Sequence, residues 1–163
     1  MMSKKPIKLL ILDVDGTLTD GGVYISEKGE QSKKFNVKDG MGIVVLNKMG
    51  IEVGIISHSS VSEMISNRAN TLKLNYVYVG QKPKLEVLQD WLQELKITLE
   101  EVAYMGDDIN DLDVIEVCGF TACPSDAMAI VKEKVDHVMT MKGGEGAVRE
   151  FIDHYLLDKP LGY

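Results

Sequence analysis

The sequence predicts an α/β fold built on a doubly wound, Rossmann-like parallel sheet. Short apolar stretches alternate with amphipathic helical stretches along the chain, which is the order typical of such a sheet. The apolar run at residues 7–12 leads directly into Asp13-Val14-Asp15-Gly16-Thr17. Further polar clusters follow later strands, and the carboxyl ends of parallel strands open on one edge of a sheet. This edge is therefore the expected ligand site.

Composition limits the function classes. The 163 residues, 45% of them hydrophobic and 26% charged, predict one domain over residues 1–163. A net charge of −7 without a basic block argues against a nucleic-acid partner. The N-terminal apolar run is too short for a membrane span or a secretory signal, so we expect no membrane partner and a cytoplasmic location. Cys118 and Cys123 are then expected to be reduced thiols rather than a disulfide.

The segment between the first strand (7–14) and the first helix is predicted to form a projecting β-hairpin over about residues 17–36. Its two β-like pieces, 22–26 and 31–36, flank good turn material at 27–30.

Helices and strands alternate after the hairpin. Asp39 is predicted to cap the first helix, and Gly50 to follow its end. Pro83 marks the start of a long amphipathic helix. The other predicted elements are strands at 51–56, 76–79, 102–105, 120–123 and 136–139, helices at 61–72, 109–117, 126–133 and 146–156, and an extended tail at 158–163.

Asp13 and Asp15 are the first candidate catalytic residues. Two carboxylates at one strand end can share an active centre, where one attacks a substrate and the other moves protons. Gathering them is costly unless a cation or a proton offsets their repulsion. Because Mg²⁺ prefers oxygen ligands, the pair predicts a magnesium site.

The polar residues that follow the other strands are of the types that phosphoryl transfer requires. Ser57 and Lys84 could contact phosphate oxygens, and Asp107 could complete the metal site with Asp108 and Asp111 nearby. Each feature alone has a simpler explanation: a turn, a helix cap or a solvated lysine. Their occurrence in this order at four strand ends favours a shared active site.

These residues resemble the four motifs of the haloacid dehalogenase-like phosphatases. The resemblance extends to one subfamily, the 3-deoxy-D-manno-octulosonate 8-phosphate phosphatases, over about residues 6–156. The stretches that carry it are Asp20-Gly21, Phe35-Asn36-Val37-Lys38-Asp39-Gly40, Gly80-Gln81 with Lys84, Val102 to Asp108, and Gly143-Gly144-Glu145-Gly146-Ala147-Val148-Arg149-Glu150.

The resemblance implies roles for individual residues. Asp13 would be the nucleophile and Asp15 the acid/base; Asp13, Asp15 (through its backbone carbonyl) and Asp107 would bind Mg²⁺, supported by Asp108 and Asp111. Ser57 and Lys84 would contact phosphate. Further substrate contacts would come from Asn36, Val37, Lys38, Asp39, Gly40 and Arg68.

The resemblance also implies a substrate and an assembly. The substrate would be a small phosphorylated sugar acid, with 3-deoxy-D-manno-octulosonate 8-phosphate favoured over nonulosonate 9-phosphates, in lipopolysaccharide biosynthesis. The fold would be of the haloacid dehalogenase type without a separate cap domain. Homotetramers would form in which the hairpin closes a neighbour's active site.

Two departures weaken the case for that particular substrate. The subfamily's Thr-Gly-Arg after the second core strand is Ser57-His58-Ser59 here, and a second arginine is replaced by a hydrophobic residue near Val44. His58 either contacts a substrate carboxylate or has no role. Arg149 either reaches a substrate or a neighbouring subunit, or pairs with Glu150 or Asp153; we favour a structural or interface role.

Two other function classes compete with a phosphatase. A two-component receiver domain also places acidic residues, a Ser or Thr and a Lys around a phosphorylated Asp, but its acidic pair is adjacent on the first strand. A catalytically silent oligomerisation module would have no physical reason to keep Asp13, Asp15, Lys84 and Asp107 crowded together.

Overall fold

Six parallel strands form the central sheet in a computed structural model that describes residues 5–157. In chain order the strands are β1 Leu9–Leu12, β2 Tyr24–Ile25, β3 Gln31–Ser32, β4 Glu52–Ser57, β5 Tyr76–Val79, β6 Val102–Met105, β7 Phe120–Cys123 and β8 His137–Val138. The sheet has the order β5-β4-β1-β6-β7-β8, and β2 and β3 form a separate antiparallel pair. The predicted doubly wound parallel sheet is therefore confirmed.

Helices cover both faces of the sheet. They are α1 Val37–Lys48, α2 Ser62–Thr71, α3 Lys84–Leu95, α4 Leu112–Ile115, α5 Ala129–Lys132 and α6 Ala147–Phe151, with 3₁₀ turns at Leu99–Glu101 and Ile109–Asp111. Alternate residues of β1 serve the two faces: Leu10 and Leu12 pack with the α1, α2 and α6 side, and Leu9 and Ile11 pack with the α3, α4 and α5 side. This continuous burial explains why β1 is apolar without alternation.

The order of the strands explains where a site forms. β1 lies at the centre, between β4 and β6, with registers Leu12↔Ile55 and Leu12↔Met105. The direction of winding reverses between β1 and β6, which is where ligands bind in doubly wound sheets. The polar residues that follow β1, β4 and β6 therefore open onto one crevice.

The predicted hairpin is present and is shorter than expected. β2 and β3 pair antiparallel, and a bridge between Thr19 and Phe35 closes its base. Gly29 adopts a φ of +81° in the turn, which an L side chain rarely adopts. The hairpin is the insertion between β1 and α1, and residues 5–157 contain no separate cap domain, as predicted.

Several predicted boundaries are corrected by local hydrogen bonding. Asn36, not Asp39, caps α1: its backbone is extended and its side chain accepts a hydrogen bond from the Lys38 amide. The predicted helix at 109–117 begins as a 3₁₀ turn, because Asp108 and Asp111 form a capping box around Ile109–Asp111. The helix at 126–133 shortens to α5, and α6 continues as a π-helical turn over Ile152–Leu156.

Three other predictions concern the two cysteines, a membrane-spanning helix and the C-terminal tail. Cys118 and Cys123 are free thiols, and burial raises their pKa values to about 12 and about 11. Among residues 5–157, no helix combines the length and the apolar character needed to cross a membrane. The predicted extended tail at 158–163 lies outside the described residues.

Candidate active site

Lys84 lies at the centre of the candidate site. Its ammonium donates hydrogen bonds to Asp13 Oδ1 at 2.7 Å and to Asp111 Oδ1 at 2.8 Å, and the residue is only 1% exposed. Burial by itself lowers the pKa of Lys84, but the attraction of Asp13 and Asp111 outweighs it and raises that pKa. The simpler interpretation of Lys84 as a solvated helix-start lysine is therefore wrong.

Asp111 has a donor for each side of its carboxylate. Oδ1 accepts hydrogen bonds from Lys84 and from the Tyr104 hydroxyl, while Oδ2 accepts from the backbone amides of Asp107 at 2.9 Å and Asp108 at 3.1 Å. Burial, followed by the charge of Asp111, raises the pKa of Tyr104 well above its usual value, so its hydroxyl stays protonated and donates. Through these four contacts Asp111 ties the Gly106–Asp108 loop to Lys84 and Tyr104.

Asp13 and Asp107 form an acidic pair next to this lysine. Burial raises the pKa of both carboxyls, and each is raised further by the charge of a neighbouring aspartate. Together with Asp111 they bring carboxylate oxygens within 4.8 Å of one another. Because both oxygens of Asp111 accept hydrogen bonds, Asp13 and Asp107 are the two carboxylates that fit a divalent cation, whose charge would offset their repulsion.

Close approach of the backbone explains two glycines of these motifs. Gly16 has a φ of +86°, and a Cβ there would lie 2.0 Å from Asp107 Oδ2. A Cβ on Gly106 would lie 2.3 Å from the carboxylate carbon of Asp111. The loop after β1 therefore packs through Gly16 against Asp107 of the loop after β6, while Gly106 leaves room for the Asp111 carboxylate.

The glycine-rich motif at 143–146 supports the loop after β1 from outside. A Cβ on Gly143 would lie 1.8 Å from the carbonyl oxygen of Gly16. The Gly144 amide donates to the Thr17 carbonyl at 3.1 Å, and the Asn36 side chain donates to the Gly144 carbonyl at 3.2 Å. The motif thus acts through backbone packing that a side chain would prevent.

A cavity of about 200 Å³ opens above these groups. Its walls are Asp13, Asp15, Ser57, His58, Ser59, Asp107, Asp108 and Asn110. Ser57 does not cap α2, which begins after Val61; its hydroxyl accepts from the Ser59 amide. His58 Nε2 lies 2.8 Å from the Lys82 carbonyl oxygen, so this nitrogen carries a proton and Nδ1 is the ring atom left for a further contact.

The predicted substrate contacts at Asn36 to Gly40 and Arg68 are not part of this wall. Arg68 lies over the Phe35 ring and donates to the Asn36 carbonyl. Asp39 is buried and accepts from the Arg149 amide at 2.9 Å, which joins α1 to α6. Val37 and Lys38 are exposed.

Arg149 pairs with Asp153, one of the two predicted partners. Its Nε donates to Asp153 Oδ2 at 2.7 Å, and a guanidinium nitrogen donates to the Lys38 carbonyl. Glu150 accepts instead from Thr140 and Met141. These contacts favour the structural role.

Four residues at the candidate site were not predicted from the sequence: Tyr104, Lys33, Ser59 and Asn110. Tyr104 carried a usable signal, because a buried tyrosine in an apolar strand needs a partner for its hydroxyl. Lys33, whose ammonium contacts Asp15 from the hairpin, and Ser59 and Asn110, which line the cavity, carried none, since only the tertiary fold brings them there.

Comparison with known proteins agrees with this geometry. A family model described as haloacid dehalogenase-like hydrolase matches residues 54–152. The chain is 42% identical over 157 residues to the 3-deoxy-D-manno-octulosonate 8-phosphate phosphatase KdsC of Escherichia coli (strain B / BL21-DE3). The aligned region covers 96% of this chain and 83% of that relative.

Solved structures give the same result. A crystal structure of 3-deoxy-D-manno-octulosonate 8-phosphate phosphatase from Yersinia pestis matches with a TM-score of 0.87 and 41% identity, covering 90% of this chain and 79% of that one. The enzyme of the same name from Moraxella catarrhalis, solved with a magnesium ion, a phosphate ion and a KDO molecule, matches with a TM-score of 0.86 and 36% identity, covering 90% and 84%.

Proposed function

The chain belongs to the haloacid dehalogenase-like hydrolases, and from that premise we propose that it is a Mg²⁺-dependent phosphatase acting on 3-deoxy-D-manno-octulosonate 8-phosphate. The observation that carries the proposal is the buried contact of Lys84 with Asp13 beside the acidic pair Asp13 and Asp107. This contact supports Asp13 as the nucleophile, Lys84 as a fixed cation beside it, and Asp13 and Asp107 as the metal-binding carboxylates.

We assign the first half of the reaction to Asp13 and Asp15. A carboxylate oxygen of Asp13 attacks phosphorus as the bond to the sugar oxygen breaks, and Asp15 gives that oxygen its proton. Lys84 and Ser57 stabilise the charge on the transferring oxygens. Asp13, Asp107 and the Asp15 backbone carbonyl would hold Mg²⁺, which when bound would supply positive charge that screens the repulsion between nucleophile and phosphate.

The second half of the reaction, hydrolysis of the aspartyl phosphate, returns the enzyme to its starting state. Asp15, now a carboxylate, removes a proton from a water that attacks the phosphorus of the aspartyl phosphate. The bond between Asp13 and phosphorus breaks, and inorganic phosphate leaves. Asp108 and Asp111 hold the metal-binding loop, as the amide contacts to Asp111 Oδ2 support.

The choice of substrate is supported by the names of the similar proteins. The similar proteins are named for the eight-carbon acid, and the Moraxella catarrhalis structure contains phosphate and KDO. A nonulosonate 9-phosphate or a silent module is therefore not favoured. Contacts of Asn36 to Gly40 and Arg68 with the substrate stay predictions, as does the contact of His58, for which Nδ1 is the candidate atom.

We also propose that residues 1–163 form a single domain that assembles as a homotetramer, with the hairpin closing a neighbouring active site. Val23 and Ile25 support this, because they are 75% and 60% exposed on the hairpin. Ile25→Lys should lower the native mass measured by light scattering, whereas Lys28→Ala in the turn should not. An unchanged mass in Ile25→Lys would contradict this hairpin contact.

A cytoplasmic location is the remaining proposal, supported by the two free thiols. Cell fractionation with an antibody to the protein tests it, and recovery outside the cytoplasmic fraction would contradict it.

The proposed activity is tested by phosphate release from 3-deoxy-D-manno-octulosonate 8-phosphate, with Mg²⁺ and after chelation. We expect release only with Mg²⁺, and a loss of at least about 10⁴-fold in Asp13→Asn. Asp90→Asn, on the exposed surface of α3, is the matched control and should keep full activity. Turnover that persists in Asp13→Asn would refute the nucleophile; no release by the unaltered protein from any phosphate monoester would favour the silent module.

A further inference from the structure

The loop after β7, residues 124–128, is connected to both of the loops that carry the candidate metal ligands. The Met128 amide donates a hydrogen bond to the Asp107 carbonyl at 2.9 Å. Asp126 Oδ1 accepts a hydrogen bond from the Gly143 amide at 3.0 Å. The loop after β7 is therefore tied to the loop after β6 directly, and to the loop after β1 through the glycine-rich motif.

Gly143 passes this contact on to the loop after β1 through its backbone. A Cβ there would lie 1.8 Å from the Gly16 carbonyl oxygen and 3.1 Å from that of Thr19, so the two segments are in direct backbone contact. Gly16 follows Asp15, whose backbone carbonyl is a proposed metal ligand. The position of Gly143 therefore limits where the Asp15 carbonyl can lie.

Asp126 can act on the site only from outside it. The residue is exposed after the carboxyl end of β7, and it is not part of the wall of the active-site cavity. The Ser125 amide also joins the two segments, by donating to the Met141 carbonyl at 2.9 Å. That bond ends two residues before Gly143, whereas the Asp126 carboxylate holds the Gly143 amide itself.

Binding of Mg²⁺ between two loops requires that the separation of the loops is fixed, because the ion takes its oxygen ligands at about 2.0 to 2.1 Å in near-octahedral geometry. We propose that Asp126 is a positioning residue that fixes the loop after β1 relative to Asp107 and so raises the affinity of the site for a divalent cation. The inference rests on the proposed function, because that function places the cation between these two loops.

Asp136 provides a matched control near the beginning of β7. Its Oδ2 accepts a hydrogen bond from the Thr121 amide at 2.8 Å, which is the same kind of contact that Asp126 makes. Both aspartates are exposed. Asp126→Ala and Asp136→Ala should therefore both lower stability in urea, but only Asp126 is on the side of the metal site.

The test measures Mn²⁺ binding by electron paramagnetic resonance of the free ion, since Mn²⁺ takes the same oxygen ligands as Mg²⁺. Asp126→Ala should weaken binding by about 10-fold, as expected when a group that supports metal ligands is removed. Asp126→Asn, which keeps an acceptor for the Gly143 amide, and Asp136→Ala should bind as the unaltered protein does. The Mg²⁺ concentration for half-maximal phosphate release should shift in parallel.

Gly143→Ala tests the same connection from its other end, because the added Cβ would overlap the Gly16 carbonyl. It should weaken Mn²⁺ binding at least as much as Asp126→Ala. Unchanged affinity in either variant would overturn the proposal.

Three other outcomes would also overturn it. Equal weakening in Asp136→Ala would assign the effect to general loosening of the fold, and equal weakening in Asp126→Asn would assign it to the charge of Asp126. Absence of Mn²⁺ binding by the unaltered protein would leave no metal site to position. If the variants change Mn²⁺ binding as expected but the unaltered protein releases no phosphate, the positioning role stands while the proposed activity fails.

Discussion

Two buried aspartates, Asp111 beside β6 and Asp39 in the first turn of α1, differ in how their charge is compensated. Asp111 is 0% exposed and has the Lys84 ammonium, the Tyr104 hydroxyl and two backbone amides as donors. Asp39 is 1% exposed and accepts from the Arg149 amide, while its Oδ2 has no hydrogen-bond partner among residues 5–157. Burial raises the pKa of Asp39 to about 6, although that amide and the charges of Arg68 and Arg149 oppose the shift.

The difference shows what fixes the geometry of the active site. A buried carboxylate with a complete set of donors has one position, and Asp111 therefore fixes Lys84 and the Gly106–Asp108 loop relative to each other. A buried carboxylate with an unpartnered oxygen costs folding free energy instead. Asp39 joins α1 to α6, but the Arg149 amide and the charges of Arg68 and Arg149 offset only part of the cost of burying its charge.

Lys84→Met should have the largest effect, because it removes the ammonium between Asp13 and Asp111. Leaving buried charge without its partner costs about 3 to 5 kcal/mol of unfolding free energy, and phosphate release should be lost as well. Urea unfolding at pH 7.5 measures the first effect. The matched control is Lys82→Met, two residues earlier, whose exposed pairs with Glu86 and Asp90 contribute little. Equal destabilisation by both variants would show that Asp111 does not depend on Lys84.

Asp39→Asn should stabilise the protein at pH 8, by up to about 3 kcal/mol from the shift of its pKa. The folded state holds the Asp39 proton up to about pH 6, whereas the unfolded chain releases it near pH 4. The contribution of Asp39 to stability therefore falls as pH rises from about 4 to about 6, then stays low. Asparagine keeps the acceptor for the Arg149 amide and removes the charge.

Urea unfolding of both proteins between pH 4 and pH 8 checks this sign. The stability advantage of Asp39→Asn should grow through that window and then stay constant above it. A variant that is less stable than the unaltered protein at pH 8 would show that Arg68 and Arg149 compensate the charge of Asp39 after all.

Tyr104→Phe should have the smallest effect, because Asp111 keeps its other three donors. Loss of one hydrogen bond to a charged group should cost about 1.5 kcal/mol. Turnover should fall only severalfold, since Tyr104 does not line the cavity. Tyr76→Phe is the control, because its hydroxyl makes an exposed contact with Glu94. A loss of activity as large as in Lys84→Met would assign Tyr104 a more direct part in the reaction.

The strands of the sheet and the order of the motifs were predictable because their signals are local. The predicted strands at 76–79, 102–105 and 120–123 match β5, β6 and β7 in full, since each is a short apolar run bounded by turn residues. Helix beginnings were less predictable. Asn36 and Asp39 are both good caps by residue type, and only the backbone path and the Arg149 amide decide between them.

By itself, the sequence determined the α/β class, the positions of the acidic motifs at strand ends and the family. These follow from residue types at short spacing. The tertiary structure decided which groups meet: Lys84 contacts Asp13 across 71 positions of the chain, and Lys33 reaches Asp15 across 18. Hydrogen-bond partners depend on the order of the strands and on how the loops pack. At Gly16 and Gly106 a Cβ would overlap an aspartate carboxylate, and at Gly143 it would overlap the Gly16 carbonyl, so this packing requires glycine at all three positions.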